Sequence, residues 1–169
     1  MDKLKNYDVG FSGLKNGKHH FRFKIDKTFF QLFDTEQEFS DPKITADIAL
    51  DKHSTFLEFI IKTCGNVELI CDITNKLFRY EIENEIKILV KFGEDFDDSD
   101  ENVITIPMSN HAFNVAQLIY EDVMLSIPMK KISPEISDDD LEILEKFSPK
   151  IEEKEQETDS RWDVLKKLL

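Results

Sequence analysis

Two thiols, four imidazoles and one dense run of carboxylates are the groups in this sequence that could do chemistry. A zinc site takes about four ligands, usually thiolates or imidazoles at short, regular spacing. Cys64 and Cys71 supply two thiols and are not spaced as a C-x-x-C, so they read as buried thiols behaving as small hydrophobes. His19, His20, His53 and His111 have no Cys or carboxylate partner at ligand spacing. His19 and His20, as neighbours on a strand, would point to opposite faces. Residues 94–101 hold six acids and no base. That run attracts cations, but it lacks the glycine and the closing bidentate Glu of a calcium-binding helix–loop–helix, so it reads as a solvated loop. No P-loop, G-x-G-x-x-G, G-x-S-x-G or H-E-x-x-H motif occurs. The expectation is a protein that binds partners, with no catalytic residue, no metal and no cofactor.

Two stretches carry binding chemistry. Lys15, Lys18, Arg22, Lys24 and Lys27 are interleaved with Phe21 and Phe23. Cations beside rings can grip RNA phosphate and stack a base. If the stretch is a strand, the Phe residues point inward and leave a solvated basic face. The second stretch is Arg161, Trp162, Leu165 and Leu168, an amphipathic segment beyond a polar linker. Trp and Arg are favoured anchors of partner interfaces, although such a segment could also dock on its own chain.

Those residues need elements to position them. Residues 4–25 read as a β-hairpin with Asn16-Gly17 at its turn and Phe21, Phe23 and Ile25 on one face. Asp26 then caps a short helix that carries Phe29 and Phe30. Ile44, Ala46, Ile48 and Leu50 alternate with polar residues. Phe56–Thr63 is apolar on both faces and reads as a central strand covered on both sides. A turn at Gly65-Asn66, alternation of Val67, Leu69, Cys71 and Ile73, and a turn at 74–76 follow. Phe78, Tyr80, Ile82, Ile86, Ile88, Val90 and Phe92 hold one face of a long strand, and Val103, Ile104 and Ile106 form a last short one. Helical spacing joins Val115, Leu118, Ile119, Asp122 and Leu125 up to Pro128. The class is α+β, mainly β: an antiparallel sheet or partly closed barrel, with one or two packing helices and an acidic tail.

The organisation expected is a β-rich core over 1–133, an acidic linker over 134–160 opened by a capping box from Ser137 to Asp140, and a short Arg-Trp helix over 161–169. The 169 residues carry a formal net charge of −13, with 14 Phe available for a core. Residues 1–33 hold seven bases against three acids, whereas residues 134–160 hold eleven acids against three bases. A field of that sign disfavours duplex DNA and favours basic partners. No apolar signal segment opens the sequence, and no run approaches the roughly 18–20 apolar residues that span a bilayer. A cytoplasmic protein without membrane partners is therefore expected.

Taken in order, several of these residues resemble the YceD family, the large ribosomal RNA subunit accumulation proteins. The matching elements are Phe21-x-Phe23-x-Ile25, Asp26 with Phe29-Phe30, Gly65-x-Val67-x-Leu69-x-Cys71-Asp72, Leu125-x-Ile127-Pro128, and Arg161-Trp162-x-x-Leu165-x-x-Leu168. The resemblance implies a cytoplasmic, non-enzymatic factor for 23S ribosomal RNA accumulation, whose partners are a ribosomal protein, the RNA of the large subunit, or both. Many members look like metal binders, with further Cys residues soon after the first and beyond the L-P element. This chain has Asp72-Ile73-Thr74 and Met129-Lys130-Lys131 at those places, so zinc is not expected here. An acidic adaptor binding an unrelated basic partner through its tail and Trp segment is the alternative.

Overall fold

A computed structural model describes residues 3–100 and 102–137. A six-stranded sheet forms its body. The strands, in chain order, are β1 (Asp8–Gly10), β2 (Gly17–Ile25), β3 (Ser40–Lys52), β4 (Phe56–Ile70), β5 (Leu77–Gly93), β6 (Asp97–Asp100), β7 (Val103–Pro107) and β8 (Ala112–Asn114). Their order across the main sheet is β2-β3-β4-β5-β7-β6, and β1 and β8 form a separate pair. The sheet is open, with β2 and β6 as its edges, so of the two expected closures the unclosed one holds.

Alternation decides which face is buried. Ile44, Ala46, Ile48 and Leu50 of β3, Leu57, Phe59 and Ile61 of β4, and Ile82, Ile88 and Val90 of β5 point to one side and are all buried. Helix α2 (Ala116–Ser126) covers that side over β4 and β5, burying Ala116, Ile119, Asp122 and Val123. The Asn114 side-chain oxygen accepts from the Ala116 amide at 3.0 Å and so satisfies one of the free N–H groups at the helix start. Leu125, expected on the apolar face, is 85% exposed. Helix α1 (Lys27–Phe30) begins as expected, with the Asp26 carboxylate accepting from the Thr28 amide at 2.8 Å. The Thr28 hydroxyl, which also donates to this carboxylate, and then the amide bond hold the Asp26 carboxyl below its ordinary value. Phe29 and Phe30 enter the core edge to face, and Phe33 stacks on Tyr120 of α2 at 4.1 Å.

Four expectations need correction. Residues 4–25 do not form a hairpin: β1 pairs with β8, and β2 pairs with β3 over its nine residues. Cross-strand pairs such as Phe21 with Ile48 and Ile25 with Ile44 outweigh a local Asn-Gly signal. Central strand β4 is buried on one face only. Phe56, Glu58 and Ile60 on the other face are half-buried and Lys62 is exposed, because the described helix α2 lies on the opposite side. Gly65-Asn66 is no turn, since β4 runs through it and Gly65 pairs with both Ile44 and Ile82. A Cβ there would stand 2.6 Å from the Ile44 Cα and closer still to the Lys43 carbonyl oxygen, so glycine permits a close backbone approach. The acidic run is not all loop either. Asp97–Asp100 adds an edge strand to β7, while β7 itself lies parallel to β5.

The expected capping partner Asp140 and everything assigned to 138–169 lie outside the described residues. No helix among those described is long and apolar enough to cross a membrane.

Candidate partner-binding surfaces

The outer face of the sheet is laced by its own charges. The Arg22 guanidinium forks onto the Asp47 carboxylate opposite it, with one bond at 3.1 Å. Further across, Lys62 reaches Glu85 at 2.8 Å and Lys87 reaches it at 3.5 Å. These pairs raise Lys62 and lower Glu85 from their ordinary pKa values.

At the first edge, β2 turns Lys18, His20, Arg22 and Lys24 outward, with Lys15 in the preceding loop and Lys27 opening α1. Phe21 and Phe23 face the core side, half-buried, with Phe23 against Tyr7 at 5.5 Å. The structure thus brings the expected basic residues together and separates them from the rings, so this face offers cations to phosphate without a stacking platform. The opposite edge is β6, where Asp98 and Asp100 look across a groove to Glu121 of α2. Nothing in the local sequence announces this arrangement, because its residues are brought together from Ile88 to Glu121.

The imidazoles are dispersed. His19 bonds the Lys15 carbonyl at 2.8 Å, and His53 stacks on Phe56 at 4.3 Å with Asp51 3.7 Å away. His53 and His111 line a cleft of about 790 Å³ floored by Phe11 and Phe92. Lys52, on its wall, is held by the Phe11 and Leu14 carbonyls at 2.8 Å each. Among the described residues no three His, Cys, Asp or Glu side chains gather closely enough to hold a metal ion.

The two thiols differ. Cys64 is exposed on the outer face, against expectation, because the neighbouring Thr63 takes the inward position; Cys71 is buried as expected. The Cys71 sulfur accepts from the Ser133 amide at 3.4 Å. Together with the Thr74 hydroxyl, that bond brings the thiol down to about 7. Beside it Asp72 and Lys131 exchange two bonds, Asp72 N to Lys131 O at 2.8 Å and Lys131 N to the Asp72 carboxylate at 2.7 Å. The two segments where relatives would carry further cysteines therefore meet. They meet around one thiol, an engaged carboxylate and the Lys131 ammonium, which itself pairs with Glu38. That set does not fit a metal cation.

One carboxylate is enclosed. Asp122 is 3% exposed and accepts from the Thr63 hydroxyl and from the Asn84 amide, the latter at 2.6 Å. Burial raises its pKa against the pull of both bonds. Sequence spacing placed Asp122 on the helix's inner face without a reason for an acid there; Thr63 and Asn84 supply it. Arg161, Trp162, Leu165 and Leu168 lie outside the described residues.

The described residues thus form an open, charge-laced sheet with a basic and an acidic edge, backed by helix α2. A family model described as "Large ribosomal RNA subunit accumulation protein YceD" matches residues 59–169, more than half of the chain. The chain belongs to the YceD family. The match takes in the Gly65–Asp72, Leu125–Pro128 and Arg161–Leu168 elements and begins beyond the Phe21-x-Phe23-x-Ile25 strand. No curated protein and no solved structure matches the chain.

Proposed function

We propose that this protein supports accumulation of the large-subunit ribosomal RNA as a non-enzymatic binder, holding a basic ribosomal protein at acidic surfaces and touching RNA through β2. The observation that supports it is the separation of charge. Lys18 and Lys24 stand on one edge of the sheet and Asp98 and Asp100 on the other. Five strand spacings of about 4.8 Å put these edges about 24 Å apart, beyond two Debye lengths at physiological salt. Each edge therefore meets its partner with little interference from the other. The net charge of −13 makes basic protein the stronger partner and confines RNA to the first edge.

The ratio of 23S to 16S RNA in cells depleted of the protein tests the role, and a selective fall in 23S is expected. Capture at low salt should bring down large-subunit proteins or their RNA; recovery of neither defeats the mechanism. The acidic-adaptor reading has its own support in the eleven acids of residues 134–160 and the Trp162 segment. Capture with and without residues 148–169 separates the two, because loss of one dominant non-ribosomal partner favours the adaptor.

A further inference from the structure

Among the described residues, the helix side of the sheet is not covered to its acidic edge. Helix α2 packs on β4 and β5, and β7 and β6 carry the sheet beyond it. Between α2 and β6 this leaves a groove of about 340 Å³. Its floor is apolar, made of Ile88, Ile104 and Phe113, and its walls carry Asp98 and Asp100 on one side and Glu121 on the other. Among the described residues no Lys or Arg lines it. Pockets for small molecules run from about 300 to 1,000 Å³, so this groove takes one or two side-chain anchors and not a whole element.

Glu121 accepts from the Gln117 side-chain amide, and no cation among the described residues answers the groove's carboxylates. Elsewhere Asp41, Asp47, Glu38 and Glu85 each have a Lys or Arg partner, whereas Asp98, Asp100 and Glu121 form no ion pair among the described residues. Asp98 and Asp100 lie two residues apart on one strand, about 7 Å from each other, and both line the groove. Phe96 stands at the rim 59% exposed. A ring in that position offers its face to a guanidinium or ammonium and shields it from water. β6, as an edge strand, also presents backbone N–H and C=O groups that an extended chain can pair with.

We propose that this groove is the docking site for a basic segment of a partner protein. A Lys or Arg lies against Phe96 between Asp98, Asp100 and Glu121, and a neighbouring aliphatic side chain rests on Ile88, Ile104 and Phe113. This assignment rests on the reading that the chain holds a basic ribosomal protein and gives that reading a location. An apolar floor framed by carboxylates discriminates: it selects cationic segments that also carry a greasy residue, and it repels RNA.

The test uses the full chain and two labelled peptides, one alternating arginine with leucine and one alternating arginine with serine, followed by fluorescence anisotropy. The leucine peptide should bind about tenfold or more tightly than the serine peptide. The pair Asp98→Asn and Glu121→Gln should weaken it about tenfold, while Glu81→Gln with Glu83→Gln, on the exposed part of β5, should cost less than about threefold for the same change in net charge. Equal losses from the two pairs would mean attraction to the general field and overturn the assignment. So would equal affinity for the two peptides, or no binding of either. A single-stranded RNA whose binding is lost with the groove pair would overturn it as well. Thermal melting of both pairs confirms folding, which these exposed polar exchanges leave intact. A depletion that lowers 23S while groove variants still bind the leucine peptide normally defeats the groove alone; an unchanged 23S ratio defeats the functional reading beneath it.

Discussion

Replacing Asp122 separates two things a buried acid does for a fold: fill hydrogen-bond positions and carry charge. Its carboxylate accepts from Thr63 and Asn84 while almost wholly enclosed, and burial raises its pKa. A folded-state pKa above the unfolded value of about 3.9 means that the native protein binds the proton more tightly. The contribution to stability is fully present below the unfolded value and is lost as pH rises through the raised one. Asp122→Asn removes that loss and keeps a side chain able to bond both neighbours. At neutral pH the Asn variant should melt at or above the parent, with the gap closing as pH falls toward 4. Asp122→Ala leaves the fully buried Thr63 hydroxyl without its acceptor, at a cost of about 2 kcal/mol. For a unit that ends at Pro134, an unfolding entropy of about 2.1 cal/mol/K per residue turns this into a fall of about 7 °C. Calorimetric melts of the three proteins at several pH values make the comparison. Comparing variant with parent cancels Asp26, Glu85 and Asp97, whose lowered pKa values act in the opposite sense. If Asp122→Asn loses as much as Asp122→Ala at every pH, the ionised carboxylate is itself stabilising and the reasoning fails.

Three further outcomes are expected. Gly65→Ala puts a methyl group into the Lys43–Ile44 backbone and should cost about 1–3 kcal/mol or more, read as a lower midpoint in urea with an unchanged slope. Iodoacetamide at pH 8 should label the exposed Cys64 quickly and spare Cys71 until the protein unfolds; equal rates by mass spectrometry would contradict the burial of Cys71, whatever its lowered pKa. Trp162→Ala should weaken partner capture far more than it lowers the melting temperature, and parallel losses would mean that this side chain serves the fold.

Elements with one buried face were legible because burial of one face writes period two into a strand. β3 and β5 show that pattern, and Asp26 announced its helix through its own capping chemistry. Misreadings arose where a local signal competes with a distant partner. Asn16-Gly17 favours a turn in isolation, yet β3 offers β2 a complete register from Gly17 with Lys52 to Ile25 with Ile44 only once the chain has folded back. Gly65 looks like a terminator until β3 is seen to press against it. Asp97–Asp100 has little strand propensity and is a strand because β7 pairs with it. In β4, Phe56 and Ile60 suggested a second covering layer, but half-burial among neighbouring strands is what they have. The basic face could be read from alternation alone. The acidic groove could not, since it takes α2, β5 and β6 to make it.

The parallel pairing of β7 with β5 has a consequence for how the acidic rim is held. Parallel neighbours usually need a crossover of about a dozen residues or more, commonly a helix. Here the chain passes outside as β6 before returning as β7 into the space between β6 and β5. β6 pairs with β7, whose Ile104 and Ile106 are buried in the core. The acidic rim is therefore anchored by the core itself, and whatever binds at β6 sits one strand away from it.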